Sequence, residues 1–225
     1  MLAIALYNRG KNHEAIEHYR QSVRLNPDFV QAHYNLAGYL VKQGNYSEAA
    51  LHYRRAIEID PGGPARAYYA LAHALAKQGL FEESIKYFQI GLKKNPKDAA
   101  AHNTLGNLFA MKGDIAQAVD NYRRAAQLDP AAGEPYFNLG NLAARQNQID
   151  QAIVYFQQAL KLDPNHAPAH NNLGRLLAAQ GKLDEAVYHF RQALRVDPKF
   201  AAAQESLIAA LSQQSKKAES IRRYP

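Results

Sequence analysis

The stretch DPNHAPAHNNLGRLLAAQGKLDEAVYHFRQALRVDP, residues 163–198, decides the fold. Leu173 and Leu177 in its first half, and Ala186, Phe190 and Ala193 in its second, recur at offsets of three and four, so each half reads as one face of a helix. Gly181 stands between the halves, and glycine is the residue best suited to the left-handed conformation that ends a helix. Pro164 and Pro198 close the two ends; a proline biases the preceding residue away from the helical region, so each marks a turn. The stretch is therefore helix, tight turn, helix, with a proline-containing turn on either side. Asn171 and Asn172 are out of place in it, because asparagine amides compete for backbone hydrogen bonds inside a helix.

The same unit recurs along the chain. Pro27, Pro61, Pro96, Pro130, Pro164 and Pro198 each follow an Asn or Asp, at spacings of 34, 35, 34, 34 and 34 residues. A fixed period of this length indicates stacked supersecondary units. Superposing the copies aligns Leu2-Ala3, Leu36-Ala37, Leu71-Ala72, Leu105-Gly106, Leu139-Gly140 and Leu173-Gly174. Further on, a small residue (Ala15, Ala49, Ser84, Ala118, Ala152, Ala186) precedes an aromatic by four places: Tyr19, Tyr53, Phe88, Tyr122, Phe156 or Phe190. A second small residue follows three places later, at Ser22, Ala56, Gly91, Ala125, Ala159 and Ala193. Gly10, Gly44, Gly79, Gly113, Asn147 and Gly181 divide the halves.

This pattern of Leu-Gly, Ala, aromatic, Ala and Pro resembles the tetratricopeptide repeat (TPR) family, over residues 1 to about 213. The resemblance implies an all-α, right-handed superhelical α-solenoid of six helix-turn-helix units. FAAAQESLIAALSQQ (200–214) repeats the first-helix pattern, so a capping helix is expected over 200–213, followed by a flexible basic tail over 214–225. The one-residue insertion lies in PGGPARAYY (61–69), and Asn147 replaces the glycine of the other turns. The first copy begins five residues late, which fits a Met1 internal to a longer protein.

In families of this type the first helix of each pair lines a concave face. That implies a ladder of Asn35, Ala70, Thr104, Asn138 and Asn172 in the groove. Beside it stand Tyr34, Tyr69, Asn103, Phe137 and Asn171, with Gly38, His73, Asn107, Asn141 and Arg175 a turn further on. Lys42, Lys77 and Arg145 add positive charge. An amide offers both donor and acceptor, so such an array can pair with the backbone of an extended peptide. The array resembles the TPR arm of O-linked N-acetylglucosamine transferases, interrupted by Ala70 and Thr104. It lacks the lysine that a carboxylate-clamping TPR places before the ladder, since Asn103 and Phe137 occupy that place.

Composition narrows the classes. With 47% apolar and 21% charged residues the chain suits a folded core, and no run approaches the roughly 18 apolar residues of a membrane span. Its first residues lack the build of a signal peptide, and a cytoplasmic setting is expected. The absence of cysteine excludes disulfides, thiolate metal sites and cysteine nucleophiles. A net charge of +7 favours acidic partners, with Lys216, Lys217, Arg222 and Arg223 crowded at the end against Glu219. His33, His102 and His170 share a slot with Tyr68 and Tyr136, which marks them as packing residues; His166 and His170 have metal-ligand spacing but no acids at matching offsets. Arg54-Arg55 and Arg123-Arg124 recur on second helices, as a solvated face would. The expectation is a non-catalytic scaffold, without cofactor or metal, that binds an extended polar or acidic peptide. No phosphate loop or nucleophile-base grouping supports catalysis, and the positive charge is spread rather than gathered into the stripe that RNA would need. The sequence does not fix an oligomeric state.

Overall fold

The computed structural model describes Arg9 and residues 12–223, with side chains described for residue 9 and residues 13–217. Leu2, Ala3 and Gly10 of the first copy lie outside the described residues. Among those described there are twelve helices: α1 (Asn12–Leu25), α2 (Val30–Lys42), α3 (Tyr46–Ile59), α4 (Ala65–Lys77), α5 (Phe81–Lys94), α6 (Ala99–Lys112), α7 (Ile115–Leu128), α8 (Glu134–Arg145), α9 (Ile149–Leu162), α10 (Ala167–Ala179), α11 (Leu183–Val196) and α12 (Ala201–Arg223). They form two compact units, residues 1–114 and 115–225. No helix among the described residues is long and apolar enough to cross a membrane.

Within each unit successive helices pack as antiparallel neighbours, α2 on α3 and α4 on α5 in the first, α8 on α9 and α10 on α11 in the second. The turns inside these pairs share one geometry. Gly44, Gly79 and Gly181 have φ of 77°, 78° and 75°, and Asn147 adopts the same conformation at 59°. The backbone N–H three residues past the helix then reaches back to a carbonyl five residues earlier: Asn45 to Leu40, Leu80 to Leu75, Gln148 to Ala143 and Lys182 to Leu177, at 2.9–3.0 Å. These bonds satisfy carbonyls that a helix end leaves orphaned.

Small residues and rings interlock inside a pair. A Cβ placed on Gly140 would lie 2.7 Å from Phe156 Cε1, and one on Gly174 2.7 Å from Phe190 Cε1. Both rings are fully buried, so the glycines set how closely the two helices approach.

The proline turns are tied down by one repeating slot. His33 Nε2 lies 3.0 Å from the Pro27 carbonyl, Tyr68 OH donates to Pro61 O at 2.7 Å, His170 Nε2 lies 3.2 Å from Pro164 O, and Gln204 Nε2 donates to Pro198 O at 2.8 Å. His102 repeats the contact with Pro96 O at 3.2 Å. His33 and His170 are buried, as their shared slot with tyrosine predicts, and His102 half-buried; the bond each makes to its turn carbonyl is a further role that the slot did not reveal.

α12 begins where the cap is expected, and its backbone stays helical through Arg223, beyond residue 213. Ala210 enters the core of the second unit and Leu207 packs against it, whereas Leu211 is half-exposed and Ile208 exposed. No glycine or proline interrupts 201–223, so nothing in the chain stops the helix at 213. In the first unit, second helices are linked by surface ion pairs, the half-buried Arg20–Glu48 at 3.0 Å and the more exposed Arg54–Glu83 at 2.9 Å. Such pairs add at most about 1 kcal/mol each.

Candidate functional site

In the second unit, α8 and α10 are both first helices of their pairs and lie side by side over α9. Asn141, Ala144 and Arg145 from α8, Phe156 from α9, and Asn172, Arg175, Leu176 and Ala179 from α10 surround an open cavity of about 500 Å³. Four of the residues singled out in the sequence, Asn141, Arg145, Asn172 and Arg175, are thereby brought together. Phe156 was singled out only as the ring of its repeat, and Ala144, Leu176 and Ala179, which complete the apolar wall, not at all; those three follow from the amide positions by steps of three, four and seven along α8 and α10.

The centre of this cavity is an amide pair. Asn172 Nδ2 donates to Asn141 Oδ1 at 2.8 Å, bridging the two helices. Neither Asn172 Oδ1 nor Asn141 Nδ2 has another partner among the described residues. An amide carries two donors and an acceptor, so whichever way the pair is oriented, one acceptor and spare N–H groups remain pointed outward. Arg145 and Arg175 are exposed and have no ion-pair partner among the described residues. At the amino-terminal end of the same helices, the Phe137 and His166 rings lie 4.5 Å apart, and His166 Nε2 stands 3.3 Å from Glu134 Oε2. His166 Nδ1 meanwhile accepts the Ala169 N–H at 3.1 Å and caps α10.

Asn171 takes a different place from its neighbour. It is 3% exposed and its Oδ1 has no hydrogen-bond partner, because one residue along a helix turns the side chain by about 100° into the packing. Of the two adjacent asparagines only Asn172 reaches the cavity.

The first unit spends its equivalent side chains internally. Asn35 accepts from Gln31 Nε2 at 2.7 Å and donates to Tyr19 OH at 3.1 Å. Tyr34 packs edge-on to Tyr53 at 5.4 Å, with the Arg66 guanidinium 5.8 Å above it. Tyr69 stacks on Phe88 at 5.6 Å and fills the space over Gly91; its hydroxyl is buried without a partner, and burial, with Asp98 nearby, pushes its pKa up to about 12. His73 meets Phe88 edge-on at 5.0 Å, Lys42 lies 5.9 Å from the Tyr39 ring, and Lys77 is exposed. Thr104 returns its hydroxyl to Ala100 O at 2.9 Å. Asn103 and Asn107 each take part in an interaction within the protein, as does Asn138 of the second unit.

The architecture has many counterparts. The tetratricopeptide repeat family model matches residues 1–64, 69–133 and 137–199. No curated protein matches the chain. Among solved structures, YrrB, described as a TPR protein with an unusual peptide-binding site, is 22% identical over 85% of this chain and 98% of its own, with a TM-score of 0.64. The C-terminal part of a TPR repeat-containing protein from Cytophaga hutchinsonii is 17% identical, covers 93% of this chain and 83% of its own, and has a TM-score of 0.76. MamA from Desulfovibrio magneticus RS-1 is 20% identical over 76% of this chain and 97% of its own, with a TM-score of 0.67. The family match, the helix-turn-helix pairs and the interlocked small and aromatic residues lead to one conclusion: this chain belongs to the tetratricopeptide repeat family, whose fold serves as a scaffold for protein–protein interaction.

Proposed function

We propose that the chain is a non-catalytic scaffold that holds an extended peptide bearing acidic residues in the cavity between α8 and α10. The observation that carries this reading is the Asn141–Asn172 pair, which leaves one acceptor and spare donors side by side, the complement of a peptide unit. Arg145 and Arg175, free of ion-pair partners among the described residues, favour a carboxylate on that peptide. Leu176 and Ala144 give its apolar side chains a surface to cover. The peptide-binding site in the description of YrrB belongs to that protein; the shared fold makes the same use available here. The resemblance of the asparagine slots to a glycosyltransferase arm gives this reading a narrower form, in which the scaffold presents substrates to a catalytic domain elsewhere.

Titration of an arrayed set of extended peptides, acidic against neutral, tests the proposal. Asn172→Ala and Asn141→Ala should each cost about 0.5–1.5 kcal/mol of binding, with the stability lost with their mutual hydrogen bond largely offset by alanine's preference for the helix, so that the melting temperature changes little. Asn35→Ala, whose side chain is committed within the fold, should lower stability and spare binding. Loss of binding only in proportion to loss of stability would remove the amide pair from the function. Tight RNA binding that falls roughly 10³-fold with rising salt, without peptide binding, would replace the scaffold by a nucleic-acid reader.

A further inference from the structure

His33 of α2 and His52 of α3 meet through their Nδ1 atoms at 2.9 Å, and His170 of α10 and His189 of α11 meet in the same way at 2.9 Å. Each pair joins the two helices of one repeat, and there is one in each unit. Ring centroids are 5.2 Å apart in both pairs. The excess of the centroid distance over the nitrogen distance is just the two centre-to-atom radii of five-membered rings, so the nitrogens face each other head-on. A metal shared by two imidazoles needs both lone pairs to converge on a third point about 2.0–2.1 Å from each nitrogen. Head-on nitrogens share a proton instead, and among the described residues no group of three ligating side chains surrounds either pair.

The proton positions follow from the backbone. The carbonyls of Pro27 and Pro164 only accept, so His33 Nε2 and His170 Nε2 carry hydrogens. In a neutral ring the Nδ1 of each is then a lone pair, and the Nδ1–H of His52 or His189 must donate to it. The result is a continuous chain from second helix to first helix to proline turn. Charging both rings would set N–H against N–H at 2.9 Å, which the geometry cannot hold.

We propose that the two histidine pairs are proton-operated clasps: neutral, each locks the two helices of its repeat to one another and to the proline turn, and in acid it opens, the His170–His189 clasp first.

The surroundings give that order. Around His170 and His189 stand Lys161 from α9, Arg195 from α11, and Asp163 and His166 at the start of α10; α12 contributes no charged group among the described residues. Two fixed cations against one carboxylate disfavour a further proton. Around His33 and His52 stand Arg20 from α1 and Glu48 on α3, whose carboxylate lies 4.0 Å from His52 Nε2; α4 contributes none among the described residues. That carboxylate shelters a proton, so this clasp survives further into acid. The same surroundings set the direction of each shift: burial, then the charge of His170, pushes His189 down to about 4. Burial also lowers His170, against the Pro164 carbonyl, and lowers His52, against Glu48. A histidine held below its ordinary pKa of about 6.5 takes fewer protons folded than unfolded, so stability is full above about pH 6.5 and falls as the pH drops toward 4.

The molecule carries its own control. Repeat three has Tyr68 and Tyr87 in the two slots, and Tyr68 OH keeps the bond to the turn carbonyl. Amide hydrogen exchange, corrected for intrinsic rate, is measured on the full chain and on the His170→Tyr/His189→Tyr variant between pH 7 and pH 4.5. Residues 167–196 of the wild type should open roughly tenfold or more as the pH reaches 5, before residues 30–59 do, while the variant matches the wild type at pH 7 and stays flat in that segment. The same acid slope in both proteins overturns the proposal. Nitrogen NMR of the wild type gives a reading that needs no variant. Nδ1 signals of His170 and His189 that titrate independently near pH 6.5 would equally overturn it, as would zinc raising the wild-type melting temperature at pH 7 but not that of the variant, which would make the pair a metal site.

Discussion

Asn35 and Asn172 occupy the same slot of the repeat, one in each unit, and do opposite things. Asn35 is held by the hydroxyl of Tyr19, sixteen residues earlier, and by Gln31. Sixteen residues before Asn172 stands Phe156, which has no hydroxyl to offer, so the amide turns to Asn141 and leaves hydrogen-bonding capacity open to the cavity. One oxygen atom, on a residue of another helix, separates an asparagine that braces the fold from one that is available to a ligand. The lesson is that position in a repeat does not assign a role; the side chain presented by the preceding unit does.

The contrast is breakable at several points. The largest effect is expected where the first unit closes itself with a ring. A Cβ on Gly91 would collide with the Tyr69 ring, 2.7 Å from Cδ1, whereas the matching slot beside Phe137 already carries Ala159. Gly91→Ala should cost about 1–3 kcal/mol by overpacking, seen as a lower denaturation midpoint and faster exchange in residues 65–94. Unchanged stability would mean that the Tyr69 ring leaves its place at little cost, and the first unit would then hold an open groove like the second.

A reciprocal exchange probes the asparagines directly. Tyr19→Phe removes the acceptor of the Asn35 amide N–H, leaving only Gln31 as a partner, and should cost about 0.5–1.5 kcal/mol of stability. Phe156→Tyr supplies the missing hydroxyl and should draw Asn172 away from Asn141, lowering peptide affinity by a similar amount with stability kept. Binding that persists through Phe156→Tyr would show that the amide pair is not what grips the peptide.

The smallest effect concerns the turn that departs from the rest. Asn147 holds φ of 59° where Gly44, Gly79 and Gly181 hold 75–78°. A left-handed backbone costs an asparagine something and glycine little, so Asn147→Gly should stabilise the second unit by a few tenths of a kcal/mol. Gly181→Ala should destabilise by more. A loss on Asn147→Gly would point instead to a role for the amide itself.

Much of the molecule is legible before any coordinate is known. Helix-turn-helix pairs, their turns and the interlock of Gly140 with Phe156 follow from a 34-residue period, since side chains three and four apart must share a helix face. The slot that His33, His102 and His170 share with tyrosine marked them as packing residues, but not the turn carbonyls they hold. The reach of α12 to Arg223 was missed: the repeat pattern suggested a stop at 213 and a flexible tail beyond it, whereas the run has no glycine or proline to end the helix there. His52 and His189 left only a faint sign, a histidine nineteen residues after another in two copies out of six.

What periodicity cannot carry is the partner of each polar side chain. The sequence by itself determined the helix pairs and the turns between them, because propensity, capping and face are local properties. Tertiary structure decided that Asn171 is buried and Asn172 faces the cavity, that Asn141 answers Asn172 while Tyr19 answers Asn35, and that two pairs of histidines meet nitrogen to nitrogen. Those outcomes depend on distances of a few ångströms between helices remote in the chain, and hydrogen bonds are lost over shorter errors than that.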